Sequence, residues 1–390
     1  MRNSMEMTVG IDIGNAKTEV AYSDKGELKF VRQPSVYTYL TEKPDNNDND
    51  EAVVMNQLFD NLLVHAISGG LRRQGQFYIG NKALDTPDNV INMPIELGSK
   101  SEHDIPLLMS FSLLAAIAAK KYYNANNEIP SSLSVEVKMA TAIPSSEYNK
   151  QSAQRLESRF LGKHKVTLEI GDSSVLVLLT ITHCKVTEEG KTSMLAFLNS
   201  DPSILSDYNK TYEKEATPAD FSEALSLHAD IGDGTSEIVF TKGFNPVTGG
   251  SRGLRVGVGH ATTNAIKLYK QELGNSTGEI TRQHFAQTLK GKNEKAELAR
   301  DSMKRATVGQ ALKIMDKIIE GFASITTSSA DYFFVHGGGS IAFKDDLYYE
   351  LLDFASRVRG EVVWIPEQHA TTMNSKGTYY LAQYLFSDNN

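Results

Sequence analysis

The chain has 390 residues, 40% of them hydrophobic, enough to bury two cores of ordinary size and more than a single domain normally uses. Its one cysteine, Cys184, excludes an internal disulfide framework, and a net charge of −8 argues against a direct nonspecific grip on nucleic acid, which needs a basic surface to release counterions. The start Met-Arg-Asn-Ser-Met-Glu lacks the apolar core of a secretory leader, and the longest apolar run, Leu107 to Ala119, falls short of the roughly twenty residues that span a bilayer; a soluble, cytoplasmic protein without membrane contact is expected.

Residues 8–31 read as a β-hairpin: Val9 and Ile11 lead into a glycine turn, and alternating residues return through Val20-Ala21-Tyr22. An aspartate entering such a turn, Asp12, is placed to face a hydrated cation. Gly14 lacks the Cβ that keeps backbone N–H groups away from phosphate oxygens. The polar, turn-rich stretch Thr41–Glu51 is expected to be a mobile surface loop, either a plain insertion or an interaction element. A buried helix over about 105–123 and a strand, Ser134–Ala140, follow. The strand breaks at Pro144, and a helix is expected over 145–160 with Glu147 at its start. Glu147 is then either a charge at a helix N-terminus or the group that orients a water attacking a γ-phosphate. Strands are expected at Val166–Ile170 and Val175–Ile181 around Gly171-Asp172-Ser173-Ser174, with His183 and Cys184 structural members of a strand. Ser206–Pro218, polar apart from Tyr208, Tyr212 and Ala216, reads as the crossing between two halves.

The second half opens with Asp230-Ile231-Gly232-Asp233-Gly234-Thr235-Ser236-Glu237-Ile238, which aligns without a gap with Asp12–Val20 as D-I-G-x-x-x-(T/S)-E-(V/I). Two such hairpins facing each other can clamp a nucleoside triphosphate and its Mg²⁺. Helical spacing then runs from His260 to Leu289 and from Asn293 to about Ile325, with Ala311, Leu312, Met315, Ile318, Ile319 and Phe322 as core positions. An apolar strand, Tyr332–Val335, passes through His336 into Gly337-Gly338-Gly339-Ser340 and a helix start. Consecutive glycines let a backbone lie against a purine or ribose, and a helix N-terminus favours phosphate. The sequence contains no zinc-ligand spacing, no G-x-x-x-x-G-K-(S/T) and no G-x-G-x-x-G.

These residues resemble the actin, heat-shock-chaperone and sugar-kinase ATPase superfamily, and within it the ParM-type bacterial plasmid-segregation actins. The two hairpins are similar to the phosphate-one and phosphate-two motifs. Ala140–Tyr148 resembles the first connecting motif, Val335–Ser340 the adenosine motif, and Asn374–Leu381 the second connecting motif; all five stand in family order across nearly the whole chain. The resemblance implies an α/β actin-like ATPase fold, two related α/β domains flanking a nucleotide cleft. Domain I is expected at 1–215, with a small inserted subdomain at about 31–100 and a closing helix at 371–390; domain II is expected at 216–370, with a helical subdomain at about 260–328. Asp233 stands where many members have glycine, and 41–60 and 185–220 carry no motif.

The implied chemistry is phosphoryl transfer, mostly positioning and charge stabilisation. Asp12 and Asp230 are expected to hold Mg²⁺ through water. Gly14, Asn15, Ala16, Gly232, Gly234 and Thr235 are expected to face phosphates, with Asp233 beside them, Lys17 a weaker candidate for the β-phosphate, and Gly337, Gly338, Gly339 and Ser340 on the nucleoside. Glu147 is expected to polarise the attacking water. The expected cofactors are Mg²⁺ and ATP, with GTP as the alternative base. The implied function is a polymerising ATPase that segregates plasmid DNA, its filament joined to the plasmid centromere by a DNA-binding adaptor. The alternatives are a sugar or small-carboxylate kinase on the same two halves, and a chaperone-like or scaffold ATPase, for which the chain is short.

Overall fold

The computed structural model describes residues 4–42, 44, 50–86, 89–93, 100–247, 249–274, 278, 280–324 and 329–387. Most of the expected loop at 41–51 lies outside them. The chain divides into two compact units, 1–196 with 374–390, and 197–373.

The first unit is built on a ten-stranded sheet. Its strands are β1 (Ser4–Ile13), β2 (Lys17–Asp24), β3 (Glu27–Pro34), β4 (Val36–Leu40), β5 (Leu63–Ile67), β6 (Gly75–Ile79), β7 (Val90–Asn92), β8 (Ser132–Ile143), β9 (Gly162–Ile170) and β10 (Ser173–Glu188). They run in the order β3-β2-β1-β8-β10-β9-β5-β6-β4-β7. At its centre β1, β8 and β10 are mutually parallel. Their alternate residues Val9, Ile11, Val135, Val137, Val177 and Leu179 are buried, as expected of strands covered by core. Helix α1 (Ile105–Asn126) is buried continuously from Ile105 to Ala119. Its length and apolarity suffice to cross a bilayer, so the argument from a short apolar run does not apply; 83% of its most apolar stretch is buried, which marks it as a core helix.

Helix α2 (Lys150–Phe160) starts later than the expected 145–160. Asn149 accepts from the Ser152 N–H while Ser152 Oγ accepts from the Asn149 N–H, a reciprocal cap that fixes the start at 150 and leaves 145–147 in a turn.

The second unit has a six-stranded sheet: β11 (Leu225–Ile231), β12 (Ser236–Lys242), β13 (Asn245–Pro246), β14 (Arg252–Leu254), β15 (Tyr332–His336) and β16 (Glu361–Trp364). The order is β13-β12-β11-β15-β16, with β14 on β12. The 31-residue helix Glu294–Ser324 lays Ala311, Met315, Ile318 and Phe322 into this unit's core. Leu312 and Ile319 are 50% and 38% exposed instead, because each stands one residue, about 100°, away from a core position on the helix surface.

Ser206–Pro218 is not the crossing its polarity suggested, since the chain changes unit at Ala196/Phe197 and again at Met373/Asn374. Ser206–Tyr212 is helical within the second unit. There Tyr208 packs against Tyr212, Phe221 and Tyr332, and its hydroxyl donates to Glu361 at 2.5 Å.

Candidate functional site

Each unit carries one copy of the repeated hairpin. In the first, β1 and β2 pair with Asp12 opposite Glu19 and Ile13 opposite Thr18, leaving Gly14-Asn15-Ala16 as the turn. A Cβ on Gly14 would lie 2.8 Å from the Lys17 carbonyl, so the closure of the turn itself requires glycine. Ser35 donates its hydroxyl to the Gly14 carbonyl at 2.6 Å and its N–H to the Ala16 carbonyl at 2.9 Å. In a trans peptide the N–H lies on the edge opposite the C=O. Ser35 thereby turns the N–H groups of Asn15 and Lys17, which share those planes, away from itself. Lys17 and Ala16 are exposed.

The second hairpin repeats this arrangement with different partners. Gly232 N–H closes the turn on the Thr235 carbonyl at 2.9 Å, with Asp230 opposite Glu237. The three carbonyls that follow are engaged at the start of helix α3 (Val258–Glu272). Val258 N–H reaches Gly232 O at 3.3 Å, Gly259 N–H reaches Asp233 O at 2.8 Å, and His260 Nε2 lies 3.2 Å from Gly234 O. By the same peptide geometry the N–H groups of Asp233, Gly234 and Thr235 face the other way. A Cβ on Gly257 would lie 2.4 Å from Asp233 O, so glycine is needed there for the approach. Gly257, Gly259 and His260 were not picked out from the sequence, although a Gly-x-Gly pair at a helix start was their signal. The Asp233 carboxylate lies 3.5 Å from Arg282, which gives this departure from the family pattern a partner inside its own unit.

The glutamate repeated in both motifs, Glu19 and Glu237, is buried in both. Glu19 accepts from Arg32 Nε at 2.7 Å and from Ser375 Oγ at 2.5 Å. Burial pushes its carboxyl above the ordinary range, against the pull of Ser375 and Arg32. Asp230 is buried beside His336, its neighbour across the parallel β11–β15 ladder, with Nδ1 3.5 Å from Oδ1. Neither ring nitrogen of His336 has a hydrogen-bond partner among the described residues.

The glycine triplet is used chiefly within its own unit. A Cβ on Gly337, whose φ is +86°, would stand 2.4 Å from Ile231 O and 2.5 Å from the Asp230 carboxylate; one on Gly339 would stand 2.5 Å from Ile231 Cγ2. Only Gly338 has open space around it, with nothing nearer than Thr371 Cγ2 at 3.9 Å. The Ser340 hydroxyl turns back to the Gly337 carbonyl at 2.8 Å.

Glu147 lies three residues before α2, outside the first turn, so its expected alternative role as a helix N-terminal charge does not apply. Its Oε2 accepts the Lys100 N–H at 2.7 Å. Lys100, only 4% exposed, pairs through Nζ with the Glu189 carboxylate. Burial opposes the charge on Lys100, but Glu189, with Asp12 and Glu147 farther off, outweighs it and holds the ammonium above its ordinary pKa. Lys100 and Glu189 carry no sequence motif.

Among the described residues no group of three or more His, Cys, Asp or Glu side chains gathers to hold a metal. A hard divalent cation such as Mg²⁺ commonly takes one or two carboxylates and fills its shell with water and phosphate oxygens; Asp12 in the first unit and Asp230 in the second each present one carboxylate at a glycine turn.

Two α/β units, each carrying an Asp-Ile-Gly hairpin, make up the chain. Residues 10–191 match the family described as actin like proteins N terminal domain, and the fold of the whole chain is the actin-like one. The crystal structure of the actin-like protein Alp7A superposes with a TM-score of 0.69 at 16% identity, covering 98% of this chain and 97% of that one. Bacillus thuringiensis ParM with ATP gives 0.62 at 17% identity, over 97% and 98%. Ta0583, an archaeal actin homolog, gives 0.64 at 15%, over 97% and 99%. No curated protein matches the sequence.

Proposed function

We propose that this protein is an ATP-hydrolysing, filament-forming actin-like protein that moves or separates plasmid DNA in the cytoplasm. A DNA-binding adaptor would join its filament to the plasmid centromere, and the chain itself would touch neither DNA nor membrane. The supporting observation is the duplicated hairpin, one copy per unit, with its turn carbonyls engaged by Ser35 in the first and by 258–260 in the second. Backbone amides held in that way are pre-set for phosphate oxygens and need little reorganisation when the ligand arrives. Solved structures of Bacillus thuringiensis ParM, a fold neighbour, are of that protein with ATP, ADP and AMPPNP. Plasmid segregation is what the resemblance to ParM-type actins implies.

In this reading Asp12 and Asp230 hold Mg²⁺, which when bound neutralises charge on the β- and γ-phosphates. Asn15, Lys17, Asp233, Gly234 and Thr235 offer N–H groups to phosphate, the turns being closed by Gly14 and Gly232, with Ala16 alongside. Gly338 leaves room for the nucleoside, and Gly337, Gly339 and Ser340 shape the backbone around it. Glu147 accepts a proton from the attacking water, and slow turnover makes the nucleotide a timer for polymer life. Purified protein given Mg²⁺-ATP, followed by right-angle light scattering and negative-stain microscopy, tests this. Filaments that also form with a nonhydrolysable analogue are expected. A monomer that turns over ATP only with an added sugar or carboxylate would overturn it in favour of a kinase.

A further inference from the structure

The mechanism above uses Glu147 but not the buried pair that stands behind it. Four contacts and one peptide step close a ring in the first unit. The Lys100 N–H donates to Glu147 Oε2 at 2.7 Å. The Glu147 N–H donates to Pro144 O at 2.9 Å, as does that of Tyr148. Pro144 follows Ile143, the last residue of β8, whose carbonyl accepts the Glu189 N–H at 2.8 Å. The Glu189 carboxylate returns to Lys100 Nζ. Lys100 and Glu189 are 4% and 7% exposed, and a buried ion pair of this kind rarely adds net stability over an apolar pair of the same shape. Its effect here is directional: with Nζ anchored at Glu189, the Lys100 backbone amide is fixed where it meets the Glu147 carboxylate.

We propose that Lys100 and Glu189 are positioning residues for Glu147, a staple that holds its carboxylate in one orientation for ATP hydrolysis. This rests on the reading of Glu147 as the group that takes the proton from water. A misplacement of about 1 Å in such a group costs on the order of 10²-fold in rate, so releasing the anchor lowers kcat; because the Lys100 ammonium also faces Asp12, nucleotide affinity is read without Mg²⁺.

The test compares the wild type, the isosteric double variant Lys100→Met/Glu189→Gln, Glu147→Ala, and the triple variant. Single-turnover phosphate release and fluorescent-ATP affinity are both measured, and thermal melts show that each variant is folded. The double variant is expected to lose about 10- to 100-fold in kcat with nucleotide affinity within about twofold. The triple variant should be no slower than Glu147→Ala, because the staple acts only through that carboxylate. A double variant at wild-type rate overturns the proposal, as does a triple variant that is slower again by the full factor, since a merely structural role adds. Glu147→Ala at wild-type rate sinks the underlying assignment of Glu147 and the staple with it, whereas a slow Glu147→Ala beside a normal double variant sinks the staple alone. Should the double variant not fold, Glu189→Asp keeps both charges and shortens the arm by one methylene; a several-fold lower kcat is expected from it, and a wild-type rate is again fatal.

Discussion

Gly10 offers the sharpest test of how the first hairpin is held. It lies on β1 two residues before Asp12, where the C-terminal helix Met373–Phe386 crosses the strand. A Cβ built on Gly10 falls 2.0 Å from the Tyr379 nitrogen and 2.3 Å from the Ser375 carbonyl, both backbone atoms that no rotamer change can move. Ordinary contact starts at 3.4 Å, so the helix must retreat by about 1.4 Å to admit one methyl group. Overpacking of this kind costs about 1–3 kcal/mol. The retreat also draws Ser375 from the buried Glu19 carboxylate, 2.5 Å from its hydroxyl, and a buried acceptor stripped of a donor costs about 1–3 kcal/mol more. The sum centres on about 4 kcal/mol, a fall of about 8–16 °C in melting temperature for a unit of this size.

Calorimetry or circular dichroism on Gly10→Ala measures this, with Gly69→Ala as the control because nothing lies within 4 Å of a Cβ there. The control should stay within about 0.5 kcal/mol of wild type. If Gly10→Ala melts with the control, the helix does not press on β1 and has no part in holding the hairpin.

Asp12→Ala and Asp230→Ala should each weaken fluorescent-ATP binding mainly when Mg²⁺ is present; titrations with and without the metal that coincide with wild type would remove both from the metal's shell. Glu147→Ala should keep nucleotide binding while phosphate release slows about 10²–10⁴-fold, so that polymer formed with ATP disassembles late in a scattering trace; release at the normal rate would leave the carboxylate with only its bond to Lys100. Acid sensitivity should come in part from His228, where burial, aided by nearby His336, pushes the imidazole down to about 3. The unfolded chain gains that proton near pH 6.5 and the folded one does not. The contribution is therefore whole above pH 6.5 and lost as pH falls toward 3, about 2 kcal/mol by pH 5. His228→Gln should flatten urea-derived stability over pH 7 to 5, and an unchanged slope would clear His228 of the effect.

The hairpins could be read from sequence because what makes them is local: Asp12 and Glu19, like Asp230 and Glu237, face each other across a turn whose glycine is fixed by a carbonyl three residues on. The start of α2 was misread by five residues because Pro144 marks where a strand ends, whereas the helix begins at the Asn149–Ser152 reciprocal cap. The glycine triplet was legible as a close approach but not as an approach to what: Gly337 and Gly339 meet β11 of their own sheet, a relation set by strand order. Lys100 and Glu189 stand 89 positions apart, one before α1 and the other just past β10, and meet only in the folded unit, so no spacing announces them.

The ungapped repeat in sequence also hides a difference in surroundings between the two aspartates. Asp12 is one of the carboxylates whose charge supports the buried ammonium of Lys100. Asp230 has instead a buried imidazole 3.5 Å away, and that imidazole has its own neighbour, His228, held neutral by burial. The two aspartates therefore have different neighbours and are not interchangeable, even though both hairpins pair in the same register. Losing Asp12 also leaves Lys100 with one negative neighbour fewer, whereas losing Asp230 takes a carboxylate from beside His336. At matched Mg²⁺ concentrations, Asp12→Ala should therefore perturb ATP turnover through Glu147 as well as through the metal, and Asp230→Ala through the metal alone.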